Sequence, residues 1–313
     1  MVSAKNSITV VCASDDNYAM PLAVTAASII KNLDPQRHLD LYVLDDGISN
    51  LNKDKIAKSI DLNRCTLEWI NTKGKFSNAA TLGHISGTTY HRLLIPNLLP
   101  VEISKAIYLD CDIVVLSDIG KLWDIEIGQN SLLAVQENGC NVVSDELSFF
   151  KGLSSYKELG IPANWKYFNA GVLVLNLDKW RKDGITEKLI DYINKPRDFV
   201  MSLADQEALN AVLWDQWGEL DFKWNCMVRA TKERNELVVA LQKSIGALNE
   251  AKYVEDFQNP YIKHFNEETK PWRFYRHIDK KIFYKYLDLT SWAGWRYSAW
   301  KVLVKKIKSL SKK

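Results

Sequence analysis

The sequence predicts an α/β protein built on a mostly parallel, Rossmann-like sheet flanked by helices, and three observations carry that prediction. The first third alternates strand and helix patterns in a βαβαβ order. Its strands include continuous apolar runs, the form taken by strands covered on both faces. A pair of aspartates stands at the end of one such run, where the carboxyl ends of parallel strands gather ligands. At 313 residues the chain suits one large domain, expected over 1–285, with a tail over 286–313.

The elements follow in order. Ile8–Cys12 (ITVVC) is the first strand. A helix follows DDNYAMP: Pro21 suits its first turn, and Leu22, Ala26, Ile29 and Leu33 recur at helical spacing. Next come a strand over Leu39–Leu44, a turn at Asp46-Gly47, a helix over Leu51–Ile60 and a strand over Thr66–Ile70. Residues 71–89 are polar and long for a loop inside an α/β unit, and such loops often carry function. Further strands are expected at Ala106–Leu109, Ile113–Leu116, Leu132–Gln136 and Gly171–Leu177, with helices over Lys182–Asn194 and Asp205–Trp214.

Composition narrows the function. The net charge of +3 is local: residues 289–313 hold seven of the 41 Lys and Arg and no acid, leaving 34 bases against 38 acids elsewhere. A mildly acidic body argues against nucleic acid as a partner. Five scattered cysteines without a CxxC argue against a disulfide framework and a zinc site, and for a reducing compartment. The apolar start is too short for a signal peptide, and no run reaches membrane-spanning length, so a cytoplasmic protein is expected.

Asp110-Cys111-Asp112 is the sharpest chemical feature. Two carboxylates two residues apart at a strand end can face one divalent cation, whose hard oxygen ligands suit magnesium or manganese. Such pairs also occur in ordinary turns. Asp15, Asn17 and Tyr18 follow the first strand, where they can meet a base, although Asp15 equally suits a helix cap. His264 in KHFNEETKPW can complete a metal's coordination, and Lys270 can meet a phosphate.

Six strings together resemble the family-8 retaining glycosyltransferases, a group that includes bacterial lipooligosaccharide galactosyltransferases and, more distantly, glycogenin. They are ASDDNYA (13–19), HISGTTYHRL (84–93), YLDCDIVV (108–115), FNAGVLVLNLDKWR (168–181), DQEALN (205–210) and HF…KPW (264–272), and they cover most of the chain in the family's order. The resemblance implies a GT-A fold, a UDP-sugar donor and manganese or magnesium held by Asp110, Asp112 and His264. It implies that Ala13, Asp15, Asn17, Tyr18 and Cys111 line the nucleoside pocket, that Lys270 meets the diphosphate, and that Arg92 holds the donor sugar or a phosphate. Asn169, Ala170, Asp205 and Gln206 would surround the donor sugar, while His84 and Glu137 would contact the acceptor. The family often has a Gly where this chain has Glu267, and Ser202–Asp205 also reads as a helix-capping box.

Among the positions expected to be catalytic (Gln206, Asp205, Asn169), the family's match for a nucleophile is Gln206, whose amide attacks poorly. Front-face departure and attack is therefore expected, with a hexose passing to a glycan, glycolipid or glycoprotein hydroxyl. A nucleotidyltransferase would share the sheet and metal, but it would usually need a Gly-rich basic loop that ASDDNYAM lacks. A catalytically silent UDP-sugar binder is the other alternative, and slow manganese-dependent hydrolysis of the donor separates it from a transferase. In the tail, Trp292, Trp295, Ala299, Leu303, Ile307 and Leu310 step at helical spacing, with Lys301, Lys305, Lys308 and Lys312 on the other side. That pattern suits an interfacial helix on an anionic membrane, at the inner face of the plasma membrane.

Overall fold

A computed structural model of the chain describes residues 6–74, 87–138, 142–144, 146, 152–195, 204–227, 236 and 255–298. Strand β1 (Ser7–Ser14) is the apolar run read from the sequence, and its residues alternate between two cores. Val10 and Cys12 face one core with helix α1 (Ala19–Asn32), while Val11 faces the other. Both faces are covered, as a continuous apolar strand requires. Strand β2 (His38–Asp45), helix α2 (Asn50–Ala57) and strand β3 (Cys65–Asn71) complete the opening βαβαβ. A 3-10 helix over Gly87–Leu94 leads into short helix α3 (Ile95–Leu98) and strand β4 (Lys105–Leu109).

Beyond Asp110–Asp112 come strand β5 (Ile113–Val115), helix α4 (Gly120–Trp123) and strand β6 (Leu132–Gln136). Strand β7 (Phe168–Asn176) is followed by helices α5 (Leu177–Lys182), α6 (Ile185–Asn194) and α7 (Ala204–Val212). The remaining elements are β8 (Trp217–Glu219), a 3-10 turn at Phe222–Asn225, β9 (Cys226–Met227), β10 (Ile262–His264) and helix α8 (Lys280–Leu287).

The main sheet has seven strands in the order β3-β2-β1-β4-β7-β6-β8. All its neighbours pair in parallel except at β7, which is antiparallel to both β4 and β6. The architecture is therefore the mixed, mostly parallel GT-A type expected. A second sheet, β5-β10-β9, is built from two- and three-residue strands. The chain passes from the large sheet to the small one through Asp110–Asp112.

Several expected elements differ. The helix expected over 182–194 starts at Ile185, after Gly184 takes a left-handed conformation (φ 61°), and Lys182 instead ends the separate helix α5. The strand expected from Gly171 begins three residues earlier, at Phe168, and stops at Asn176, whose side chain caps α5. Of the expected loop, 75–86 lies outside the described residues, His84 with it, and 87–89 belongs to the 3-10 helix. The helical stripe expected from Trp292 does not begin there. Residues 292–298 are turn and irregular backbone, Gly294 has φ 78°, and Arg296 folds back onto Asp288. Residues 299–313, with the tail's lysines, lie outside the described residues. No described helix is long and apolar enough to cross a membrane.

Candidate active site

Asp110 and Asp112 stand where β4 ends, and His264 is the last residue of β10, paired with Ile113. One ligand atom from each of the three lies within 4.8 Å of the others. His264 Nε2 is 3.1 Å from Asp112 Oδ1 and 3.7 Å from Asp110 Oδ2. Backbone pairing fixes the geometry: Asp110 N–H donates to the Gly171 carbonyl, and Phe265 N–H donates to the Asp112 carbonyl.

A buried chain of amides sets the imidazole's orientation. Asn169 Oδ1 accepts from the Gly171 N–H at 2.9 Å, so its Nδ2 faces Glu137, at 2.7 Å. Asn225 Nδ2 donates to the same Asn169 oxygen at 2.8 Å. Asn225 Oδ1 therefore faces His264 Nδ1, at 2.9 Å, and Nδ1 must donate. With Nδ1 committed to Asn225, Nε2 is the nitrogen left between the two carboxylates to serve as a ligand. Such a set fits a divalent cation that accepts oxygen and imidazole ligands. Gly171 leaves the room: a Cβ there would lie 2.3 Å from His264 Cε1 and 2.9 Å from Asp110 Oδ2.

Two basic residues balance the acids. Arg92, buried, contacts Asp110 at 3.0 Å and Asp205 at 2.7 Å, and it donates to the Ala170 carbonyl at 2.6 Å. Its guanidinium lies over the Tyr108 ring, and Tyr108 Oη donates to Asp110. Lys270 Nζ sits 2.6 Å from Asp112 Oδ2. Burial disfavours the Asp112 anion, but Lys270 and then His264 outweigh it and hold the carboxyl below its ordinary range. Burial pushes Asp205 up to about 6, against the pull of Arg92. Gln206 Oε1 accepts from the Ala170 N–H, and Asn210 holds both the N–H and the carbonyl of Phe168.

A cleft of about 470 Å³ opens over this cluster. Ala13, Asp15, Asn17, Tyr18, Arg92, Asp110, Cys111, Asp112 and Lys270 all line it, and Cys111 Sγ meets the Ala13 carbonyl. Asp15 also caps the turn at Asp16–Tyr18, accepting from Tyr18 N–H and Asn17 Nδ2, so the capping alternative holds beside its place in the cleft. The Tyr18 ring packs edge-on against Trp272 with Arg273 over it. Asp16 instead receives Ser49 N–H and Asn52, fastening the loop to the start of α2. Glu137, Asn169, Ala170, Asp205 and Gln206 are buried behind the cluster. The Glu267 carboxylate accepts from Thr269.

The sequence reading missed Gly171, Asn225 and Tyr108 in the cluster, and Thr88, Thr89, Asn266 and Arg273 in the cleft wall. Gly171 had a visible signal, because a glycine inside an apolar strand marks a close approach. Asn225, a lone amide in FKWNCM, had none.

The family model for glycosyl transferase family 8 matches residues 9–275. General stress protein A of Bacillus subtilis (strain 168) is 33% identical over 287 residues, covering 90% of this chain and 94% of that protein. The lipopolysaccharide 1,2-glucosyltransferase of Escherichia coli (strain K12) is 26% identical over 288 residues, covering 91% and 78%. A solved structure of the galactosyltransferase LgtC, in complex with donor and acceptor sugar analogues, superposes with a TM-score of 0.72 at 26% identity, covering 94% of this chain and 99% of that one.

Proposed function

The chain belongs to glycosyl transferase family 8, and on that premise we propose that it moves a hexose, galactose or glucose, from a UDP-sugar to a hydroxyl of a glycan, glycolipid or glycoprotein, retaining the anomeric configuration. The observation that carries this reading is the convergence of Asp110, Asp112 and His264 beside a nucleotide-sized cleft whose lining includes both aspartates. The glucosyltransferase and galactosyltransferase that the chain resembles support a hexose donor.

Asp110, Asp112 and His264 would hold manganese or magnesium, which when bound offsets negative charge on the diphosphate leaving group. Ala13, Asp15, Asn17, Tyr18 and Cys111 take the nucleoside, and Lys270 takes the diphosphate in exchange for its present contact with Asp112. Arg92, Asn169, Ala170, Asp205 and Gln206 shape the sugar subsite. Among these, Asp205 is tied to Arg92 and Gln206 is an amide. Neither is a good nucleophile, so departure and attack occur on one face of the sugar. The leaving phosphate oxygen takes the acceptor's proton, and neighbouring carbonyl oxygens stabilise the positive sugar carbon. Glu137 and His84 are assigned to the acceptor side.

The test is manganese-dependent hydrolysis of UDP-galactose and UDP-glucose, with Asp112→Asn as control. Wild type should release UDP, and the variant should lose at least about a hundredfold in rate. Intact UDP binding without hydrolysis would mean a silent binder instead. A glycosyl adduct on Asp205 or Gln206 in a mass spectrum would overturn the front-face route. Action at the inner face of the plasma membrane rests on the tail's sequence alone; removal of residues 289–313 should abolish co-sedimentation with anionic liposomes.

A further inference from the structure

We propose that a tryptophan-lined groove at the far end of α7 binds the sugar chain of the acceptor, several residues away from the hydroxyl that reacts. This rests on the transferase reading and extends it, because it names an oligosaccharide rather than a single sugar as the acceptor.

The groove is a cavity of about 480 Å³ on the outer edge of the main sheet, within the range of small-molecule sites. Three indoles shape it. Trp165, 38% exposed, meets Trp214 edge-on at 5.0 Å and donates its Nε1–H to the Trp214 carbonyl. Trp217, on edge strand β8, lies against buried Phe168 at 5.1 Å. The rings are thus held in place before any ligand arrives. Tryptophan offers a broad rigid face at little conformational cost.

Polar groups stand around the indoles. Asn164 and Asp215 line the cavity, and Lys166 is ion-paired with Glu219 at 2.5 Å. A hexopyranose matches this mixture, since its C–H faces pack on aromatic rings while its rim of hydroxyls bonds to amides and carboxylates. A lipid tail would leave the polar rim unused. A phosphate would meet two carboxylates against one ammonium.

Placement ties the groove to the reaction. Helix α7 begins beside Asp205, paired with Arg92, and Trp214 lies two residues past its end. Nine residues at helical rise span about 13 Å. Trp165 lies three residues before β7, which carries Asn169, the first member of the Asn169–Asn225–His264 chain. Helix α7 itself is buried from Asp205 to Ala211, so the groove sits about a helix length from the cluster, a separation that a chain of several sugars spans and a single hexose does not.

The experiment uses the full chain and linear glucose and galactose oligosaccharides of two to six units, with the single hexoses as controls. Saturation-transfer NMR and acceptor kinetics compare wild type with Trp165→Ala and, as a second variant at an exposed position, Asn164→Ala. We expect oligosaccharide affinity to fall about tenfold in Trp165→Ala, the size of one lost stacking face. Trp165→Phe should recover most of it. Acceptor-free hydrolysis of UDP-sugar should stay at the wild-type rate in all three. The proposal falls if wild type binds none of the oligosaccharides, or if Trp165→Ala and Asn164→Ala both bind them as wild type does. Failure of wild type to hydrolyse any UDP-sugar would sink the transferase reading instead, a result that loss of oligosaccharide binding cannot mimic.

Discussion

Asn225 makes no contact with the aspartates, yet its amide oxygen decides which nitrogen of His264 carries the proton. Outer partners of this kind typically change metal affinity by about 10- to 100-fold. Asn225→Ala should weaken manganese binding to that degree by titration calorimetry, with UDP affinity in the absence of metal little changed. Unaltered manganese affinity would remove Asn225 from that role. Gly171→Ala should go further, since its methyl group would overlap the imidazole, and it should abolish manganese binding while the fold persists. The ligand trio was legible through the family resemblance, because DCD after an apolar run and a distant histidine are each ambiguous by residue type alone. Asn225 was not, because an amide's role depends on what faces it, and that is decided by a contact 56 residues away in sequence.

Helix α7 is fastened to β7 by two side chains, Gln206 on the Ala170 N–H and Asn210 on Phe168. Asn210 accepts from Phe168 N–H and donates to Phe168 C=O, substituting for a strand neighbour. Its removal leaves two buried backbone groups without partners, a cost of roughly 2–4 kcal/mol. Asn210→Ala should lower the urea midpoint accordingly and slow transfer, because Gln206 and Asp205 ride on the same helix. At Gly184 the left-handed backbone is unfavourable for any residue with a Cβ, so Gly184→Ala should cost about 1–2 kcal/mol by the same assay without changing donor hydrolysis. The long strands were readable because burial on both faces writes a continuous apolar run. Strands β9 and β10, two and three residues long, hold too few residues to show any period.

For the molecule as a whole, acid sensitivity should centre on His277. Its ring is packed against Phe265, Nδ1 accepts from Asp279 N–H, and Asp279, Glu267, Lys270 and Lys263 surround it. Burial lowers its value from 6.5 to about 4, opposed by Asp279 and Glu267. The unfolded chain therefore takes up the proton first. The stability tied to a neutral ring is present above pH 6.5 and is lost as pH falls toward 4, to the extent of about 2 kcal/mol. Denaturation midpoints from pH 7 to 4 should show this slope in wild type and a flatter one in His277→Gln. Equal slopes would place the acid sensitivity elsewhere.

The two sheets are joined by a peptide link only three residues long, and those residues include two of the three candidate ligands; the third ends a strand of the smaller sheet. A cation seated there acts as a rivet. Manganese at a hundred times its dissociation constant would add about 2.7 kcal/mol of resistance to melting. Chelation should let the β5-β10-β9 layer exchange its amide protons well before the seven-stranded layer does, so an ion bound there would set the order in which the body comes apart as well as the chemistry proposed for it.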